Sequence, residues 1–418
     1  MSELQHKLLA DYADVIMGQS PESNLCNTEG KGLPFLQGSA EFGRQHPRSA
    51  IFCHPSLRTA KLGAVLISVR APVGSMNYAD QNYCIGRGLG AFKAKPGISD
   101  TVFLRHAVEH HSNFLQRRSQ GSTFAAVSTS DFRSVPIPAF DFPTQGKIAA
   151  ILSTIDTAIE QTEVLIEKYQ HIKAGLMHDL FTRGVLLNGQ LRPPREQSPE
   201  LYQETAIGWI PREWRLKRCI DLCSRICVGI VIQPTQHYVE AGVPALRSAN
   251  VRADGIDPSN FVYITEKSNQ ILGKSQLRTG DIVSVRTGYP GTSAVVPLEF
   301  NGANCIDILI STPTAEVCSD YLCFWINSSF GKEQVLRQQG GMAQQHFNVG
   351  EMRELLVAVP KLEEQEAICG KLKATSQQLA IERARREKMQ LQKLGLMQDL
   401  LTGKVAVTVD VPAIEVTT

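Results

Sequence analysis

From Gln145 to Thr182, apolar residues fall at an alternating four-three spacing: Ile148, Leu152, Ile155, Ile159, Ile166, Tyr169, Leu176 and Leu180. Thr162 and Lys173 fill the two remaining places of the series. This is a coiled-coil seam read over about five heptads. Shifted by 220 residues, the same ten positions hold Ile368, Leu372, Thr375, Leu379, Glu382, Arg386, Met389, Lys393, Leu396 and Leu400. At 1.5 Å per residue such a segment is a rod of roughly 57 Å. The plainer alternative is an amphipathic helix packed on its own domain. Length argues against it, since globular helices average about a dozen residues. Two matched rods in one chain are expected to pack on each other. If they repeat around a two-fold axis, they run antiparallel. The second seam is the more polar, because Glu382 and Arg386 interrupt it.

The ends of the two patterns are also alike in sequence. KYQHIKAGLMHDLFTRGV (168–185) aligns without a gap to KMQLQKLGLMQDLLTGKV (388–405). An internal repeat of this kind predicts a chain built from two related halves. Outside the rods the pattern changes to short, β-like runs punctuated by Gly and Pro: 64–70, 88–94 and 134–140 in the first half, 261–265, 281–288, 294–300 and 355–360 in the second. One helix is predicted over about 100–118 and another over 319–338. The predicted divisions are a β-rich domain over 1–142, a rod over 143–185, a linker over 186–207, a second β-rich domain over 208–361, a rod over 362–405 and a tail over 406–418. The polar stretch 186–207, with Pro193, Pro194 and Pro199, reads as a linker or an extended wrap between the halves. The fold class expected is α+β: two β-rich domains separated by two long antiparallel coiled-coil helices, with a pseudo-two-fold internal repeat.

Composition narrows the function more by exclusion than by indication. Of the 418 residues 43% are hydrophobic and 20% charged, ordinary for a soluble globular protein. No apolar run is long enough to span a bilayer, and MSELQHKLLADYADV lacks the apolar core of a signal peptide. With ten scattered cysteines, a reduced, cytoplasmic chain without membrane contact is expected. The net charge of +2 counts slightly against a protein that grips DNA unaided.

No catalytic set emerges. There is no GxGxxG after a strand and no P-loop lysine motif, and the GYPG fragment at 288–291 fits neither. The Pro-Pro-Tyr/Phe run of amino-methyltransferases is absent. Cys219, Cys223 and Cys227 lie four apart, but zinc sites favour tighter pairs, so a buried cysteine stripe or plain strand positions are the preferred readings and no metal is expected. His110 and His111 read as a helix end, and Asp179 and Asp399 as scaffold positions of the repeat. The polar loops are more informative, because Arg pairs with guanine and Asn or Gln with adenine. Candidate DNA-binding residues are Arg44, Arg48, Arg58, Arg70, Arg87, Arg117, Arg118 and Ser122 in the first domain. In the second they are Arg247, Asn250, Arg252, Lys274, Arg286, Gln344, Gln345, His346 and Asn348. Each competes with a role as an ordinary solvated side chain, and Arg70 and Arg286 with a carboxylate partner in the sheet. The loops 119–130 and 339–350 are favoured because they fall at matched places.

A Q-x-x-I-x-x-x-L pattern at a rod start, a run ending in K-x-G-L-M-x-D-L, IGWIPREW (207–214), DIVSVRTGYPG (281–291), AVLISVRAPVGS (64–75) and IGRGLGAF (85–92) together resemble the specificity subunits of type I restriction–modification systems. The resemblance covers nearly the entire chain, and the duplicated rods with two variable domains are its specific part. It implies that each domain is a target-recognition domain reading one half of a split DNA site, and that the rods are a ruler for the unread gap. It implies two modification subunits that bind S-adenosylmethionine and methylate adenine N6, and restriction subunits that use ATP and Mg. No cofactor is expected on this chain itself. Two other classes compete: an enzyme with unrecognised catalytic residues, and a coiled-coil adaptor that binds only proteins.

Overall fold

Two helices dominate the molecule, Phe142–Arg183 and Leu362–Leu401. The computed structural model describes residues 4–119, 126–337 and 346–409. All twenty seam positions named above are buried or half-buried; none is exposed. The buried Glu382 keeps its place on the seam and accepts a hydrogen bond from Gln378 Nε2 at 3.1 Å. The first rod starts where Asp141 Oδ1 accepts the Thr144 N–H at 2.9 Å, with Pro143 in the first turn, where its missing N–H costs nothing. It ends at Gly184, whose φ of +65° suits glycine and where a Cβ would meet Glu364, Arg192 and Trp214 inside 3 Å.

The chain divides into two units, Met1–Glu163 with Ala384–Thr418, and Val164–Arg383. In the first, the labelled strands are β1 (Ala13–Met17), β2 (Leu33–Leu36), β3 (Val65–Ser68), β4 (Met76–Tyr78), β5 (Tyr83–Ile85) and β6 (Leu89–Ala94). An antiparallel sheet runs β1-β6-β3-β4. A second sheet contains the parallel pair β2 and β5. Helix α1 (Thr101–His110) and the start of the long helix α2 (Phe142–Arg183) cover the sheet.

The second unit repeats this plan with β7 (Cys223–Val228), β8 (Val243–Leu246), β9 (Ile282–Val285), β10 (Ser293–Val295), β11 (Asn304–Cys305) and β12 (Ile308–Pro313). Its antiparallel sheet runs β7-β12-β9-β10, the order of the first unit, and β8 with β11 is again the parallel pair. Helix α3 (Ser319–Asn327) stands where α1 stands, and α4 (Leu362–Leu401) is the second rod.

Each core is closed by one rod's start and the other rod's end. Ile148 and Leu152 meet Met397, Leu400 and Leu401 in the first unit, and Ile368 and Leu372 meet Leu180 and Phe181 in the second. Within each unit the two helices therefore run antiparallel. The rods are keyed to their domains by a buried glutamine at matched positions. Gln145 Oε1 accepts Ser99 Oγ (2.7 Å) and Asp100 N–H (3.1 Å), and its amide donates to Phe140 O. Gln365 Oε1 accepts the Cys318 N–H (2.8 Å), and its amide donates to Glu316 O and Pro360 O. Both side chains are fully buried with donors and acceptors paired, as burial of an amide requires.

Two expectations change. The predicted helix over 100–118 is two helices broken at His111, and that over 319–338 breaks at Ser328. Of the two readings of 186–207, the stretch is packed as an extended wrap and does not hang free as a linker. Tyr202–Thr205 pairs with Gly208–Pro211, and Arg192 is buried against Glu364. Glu364 also accepts Trp214 Nε1–H (3.2 Å) and Val185 N–H (2.8 Å), so this carboxylate gathers four donors. Among the described residues no helix is long and apolar enough to cross a membrane.

Candidate nucleic-acid interface

In each unit, loops from both sheets converge at one edge. Gly18, just past β1, donates to Leu89 O (2.9 Å), and Gln19 N–H donates to Ile85 O (2.9 Å). Gly86 donates to Leu36 O (2.8 Å), Val69 to Gly88 O (3.0 Å), and Arg87 N–H to Ser20 Oγ (3.3 Å). These bonds place Gln19, Gln37, Arg70 and Arg87 along a single edge, all exposed. The second unit repeats the lattice: Gly229 donates to Ile308 O (2.9 Å), Ile230 to Cys305 O (2.8 Å), and Ile306 to Leu246 O (2.7 Å). Its edge carries Arg247, Arg286 and Asp307. Gly18 and Gly229 hold matched crossings where a Cβ would sit 2.1 Å from Gly86 O and 2.5 Å from Cys305 O.

By these bonds Gln37 corresponds to Arg247, and Asp307 stands alone where the first unit has Arg87 and Gly88. Arg286, whose carbonyl accepts the Phe347 N–H as that of Val69 accepts the Val127 N–H, corresponds to Val69, one residue before Arg70. Of the residues singled out from the sequence, Arg70, Arg87, Arg247 and Arg286 share this edge in their respective units. Arg58 lies close by, its carbonyl accepting the Ile85 N–H at 2.9 Å. Gln19, Gln37 and Asp307 were missed. Glycine after the first strand of each sheet is the signal that marks the crossing, but it does not name the side chains around it.

The other candidates are placed elsewhere. Arg44 and the exposed Arg48 lie on the 41–48 loop, Arg44 lining a cleft with Asp156 and Glu160. Arg117 is exposed, while Arg118 pairs with Asp131 (2.8 Å) and covers the Phe114 ring at 4.2 Å. Arg252 faces Asp257 at 3.5 Å, and Lys274 and His346 are exposed. Asn250 is buried. Its amide donates to Asp257 O (3.1 Å) and Ser259 O (2.8 Å), and its oxygen accepts the Arg247 N–H (2.9 Å), so it closes a loop beneath the surface. The Asn348 side chain caps the Val349–Glu354 helix by accepting the Glu351 N–H at 3.0 Å. Arg286 does pair with a carboxylate, that of Asp307. Ser122, Gln344 and Gln345 lie outside the described residues.

Among the described residues no group of His, Cys, Asp and Glu could hold a metal ion. Cys219 and Cys223 touch at 3.8 Å in the apolar core, where the neighbouring Cys223 and burial push the Cys219 thiol well up. In the first unit Lys393 Nζ lies 2.8 Å from Glu109 and 2.9 Å from Asp156. The fully buried His106 stands 3.6 Å from Glu109 and 3.8 Å from Asp156, and Arg105 bonds Asp156 at 3.0 Å. Burial alone would raise the Glu109 carboxyl. His106, then Lys393 and Arg105, outweigh it and hold the group down to about 2. His111 is pushed down to about 4 by burial and by His110 and His6. This cluster ties α1 to the rods at the base of the domain; it is not on the exposed edge.

Residues 1–168 match the family described as the type I restriction modification DNA specificity domain. The chain is 36% identical over 181 residues to a putative type I restriction enzyme MjaX specificity subunit of Methanocaldococcus jannaschii, covering 43% of this chain and 41% of that relative's length. It is 25% identical over 331 residues to the MjaVIII specificity subunit of the same organism, covering 75% of this chain and 72% of the relative. The fold is that of a solved type I restriction–modification S subunit from M. genitalium, with TM-score 0.59, 15% identity and 98% of both chains covered. A chain from a solved structure on assembly and conformational transition of the type I system aligns with TM-score 0.52 and 14% identity, over 97% of this chain and 99% of that one. With two repeated units and matched loop edges, the chain is similar to specificity subunits of type I restriction–modification systems and shares their fold.

Proposed function

We propose that this chain is the non-catalytic part of a type I complex, in which each β-rich domain reads one half of a bipartite DNA site. The observation that carries this is the pair of matched edges, each presenting Arg with Gln or Asp on hydrogen-bonded loops. Arginine forks and short polar side chains on rigid loops are the chemistry of base-edge readout. The rods set the unread gap and dock two modification subunits, which hold S-adenosylmethionine and methylate adenine N6. Restriction subunits, with ATP and Mg, complete the assembly, and this chain holds no cofactor. The near-neutral net charge fits a shared grip, in which partners supply much of the phosphate neutralisation.

The test is adenine methylation across genomic DNA in cells expressing the chain with its modification subunit. A split motif that appears only with this chain is the expected result. Absence of methylation despite a stable complex would favour the adaptor reading. Inserting one helical turn in both rods, about 5.4 Å, is expected to lengthen the gap by about one or two base pairs, at roughly 3.4 Å each.

A further inference from the structure

The second edge carries an ion pair that the described residues of the first edge lack. In the first unit Arg70 and Arg87 are both exposed, and among the described residues neither side chain forms an ion pair. In the second, Arg286 Nη1 donates to Asp307 Oδ1, and Arg286 Nε lies 3.4 Å from Phe347 O. Asp307 sits at φ +50°, a left-handed conformation that Asn and Asp tolerate better than most residues. Its side chain is 46% exposed and that of Arg286 20%.

A guanidinium has five N–H groups in a fixed fork. The two contacts above use two of them, which leaves three. The second carboxylate oxygen of Asp307 has no partner among the described residues. The pair therefore presents donors and an acceptor side by side, held by each other. In the major groove, a G·C pair shows two acceptors, guanine N7 and O6, beside one donor, cytosine N4–H. An A·T pair shows acceptor, donor, acceptor, which does not match.

Resting on the DNA-reading function proposed above, the geometry points to Arg286 and Asp307 as a composite reader of one G·C base pair in the half-site of the second domain. Arg286 donates to guanine and Asp307 accepts from cytosine. The edge of the first domain, with Arg70 and Arg87 exposed and no such ion pair among its described residues, lacks this composite reader. A surface ion pair that serves only the fold would produce the same contact, so base preference separates the two.

The complex of this chain with its modification subunit is used to select from duplexes randomised across the whole split site. Asp307→Asn keeps the shape and tolerates the left-handed backbone; Arg286→Lys keeps the charge and loses the fork. Both variants are expected to lose about tenfold or more discrimination at one and the same G·C pair, with the other half-site unchanged. Weaker binding with the wild-type base preference intact in both variants would overturn the inference and leave a structural or phosphate-binding pair. A wild-type second half-site without a G·C pair would also overturn it, while leaving the DNA-reading function standing. A wild-type complex that selects no sequence would refute that function as well.

Discussion

Lys393 and Lys173 occupy the same seam position in the two rods, and they meet opposite surroundings. Lys393 finds Glu109 and Asp156, inside a cluster completed by Arg105 and the buried His106. Lys173 lies 5.9 Å from the Phe324 ring centroid, and burial pushes its ammonium pKa down. Counted from the helix-start N–H that Gln145 and Gln365 each accept, the second unit has Cys323 and Phe324 at the places of Arg105 and His106, followed by the fully buried Trp325 and Ile326. Trp325 stacks near Phe330 (5.5 Å) and meets Phe181 edge-on (5.1 Å). A single scaffold thus tolerates an ionic or an aromatic filling between rod and domain, the ionic one leaving Arg105 Nε and both His106 ring nitrogens without a hydrogen-bond partner among the described residues. That lets the domains diverge while the rods stay alike.

The largest expected effect is in the aromatic filling. Trp325→Ala should cost the second unit about 3–5 kcal/mol, read as faster hydrogen exchange there; slowed or unchanged exchange would mean the stack adds nothing. In the ionic filling, Lys393→Ala leaves Glu109 and Asp156 facing each other with Arg105 alone to offset them. A partly buried site should lose about 2 kcal/mol, confined to the first unit in the same assay. Acid should then distinguish the two units. Glu109 titrates near 2 when folded against an ordinary 4.5, so its stabilisation is full above 4.5 and disappears as pH falls to about 2. His111, held near 4 against 6.5, makes the unfolded chain take up its proton first, so stability also falls from 6.5 towards 4. The first unit should open before the second on acidification, and Glu109→Gln with His111→Phe should reduce the gap between them. The smallest effect is Lys173→Ala, about 0.5–1 kcal/mol if the contact with Phe324 is cation–π; a larger loss would show that its aliphatic stem fills the core.

The rods were readable because their signal is local and periodic: every seam residue from Ile148 to Leu400 lies where a four-three spacing puts it. Gln145 and Gln365 also stood out, as the first letter of the motif at each rod start, although only the fold shows that they key the rods to α1 and α3. What failed or stayed open depends on partners far along the chain. The 186–207 stretch could be read as a linker or an extended wrap, because nothing local reveals that Arg192 is buried against Glu364. Asn250 looked like a base reader because a short amide on a loop serves either purpose until its three hydrogen bonds are known. Gln19, Gln37 and Asp307 became part of the edge only through ladders between strands remote in sequence.

The most direct test of two independent reading units on a shared scaffold is an exchange of residues 4–141 for the corresponding domain of another specificity subunit, followed by genome-wide adenine methylation. One half of the split motif should change, with the other half and the gap intact. A change in both halves, or in the gap, would contradict the separation of reading from spacing.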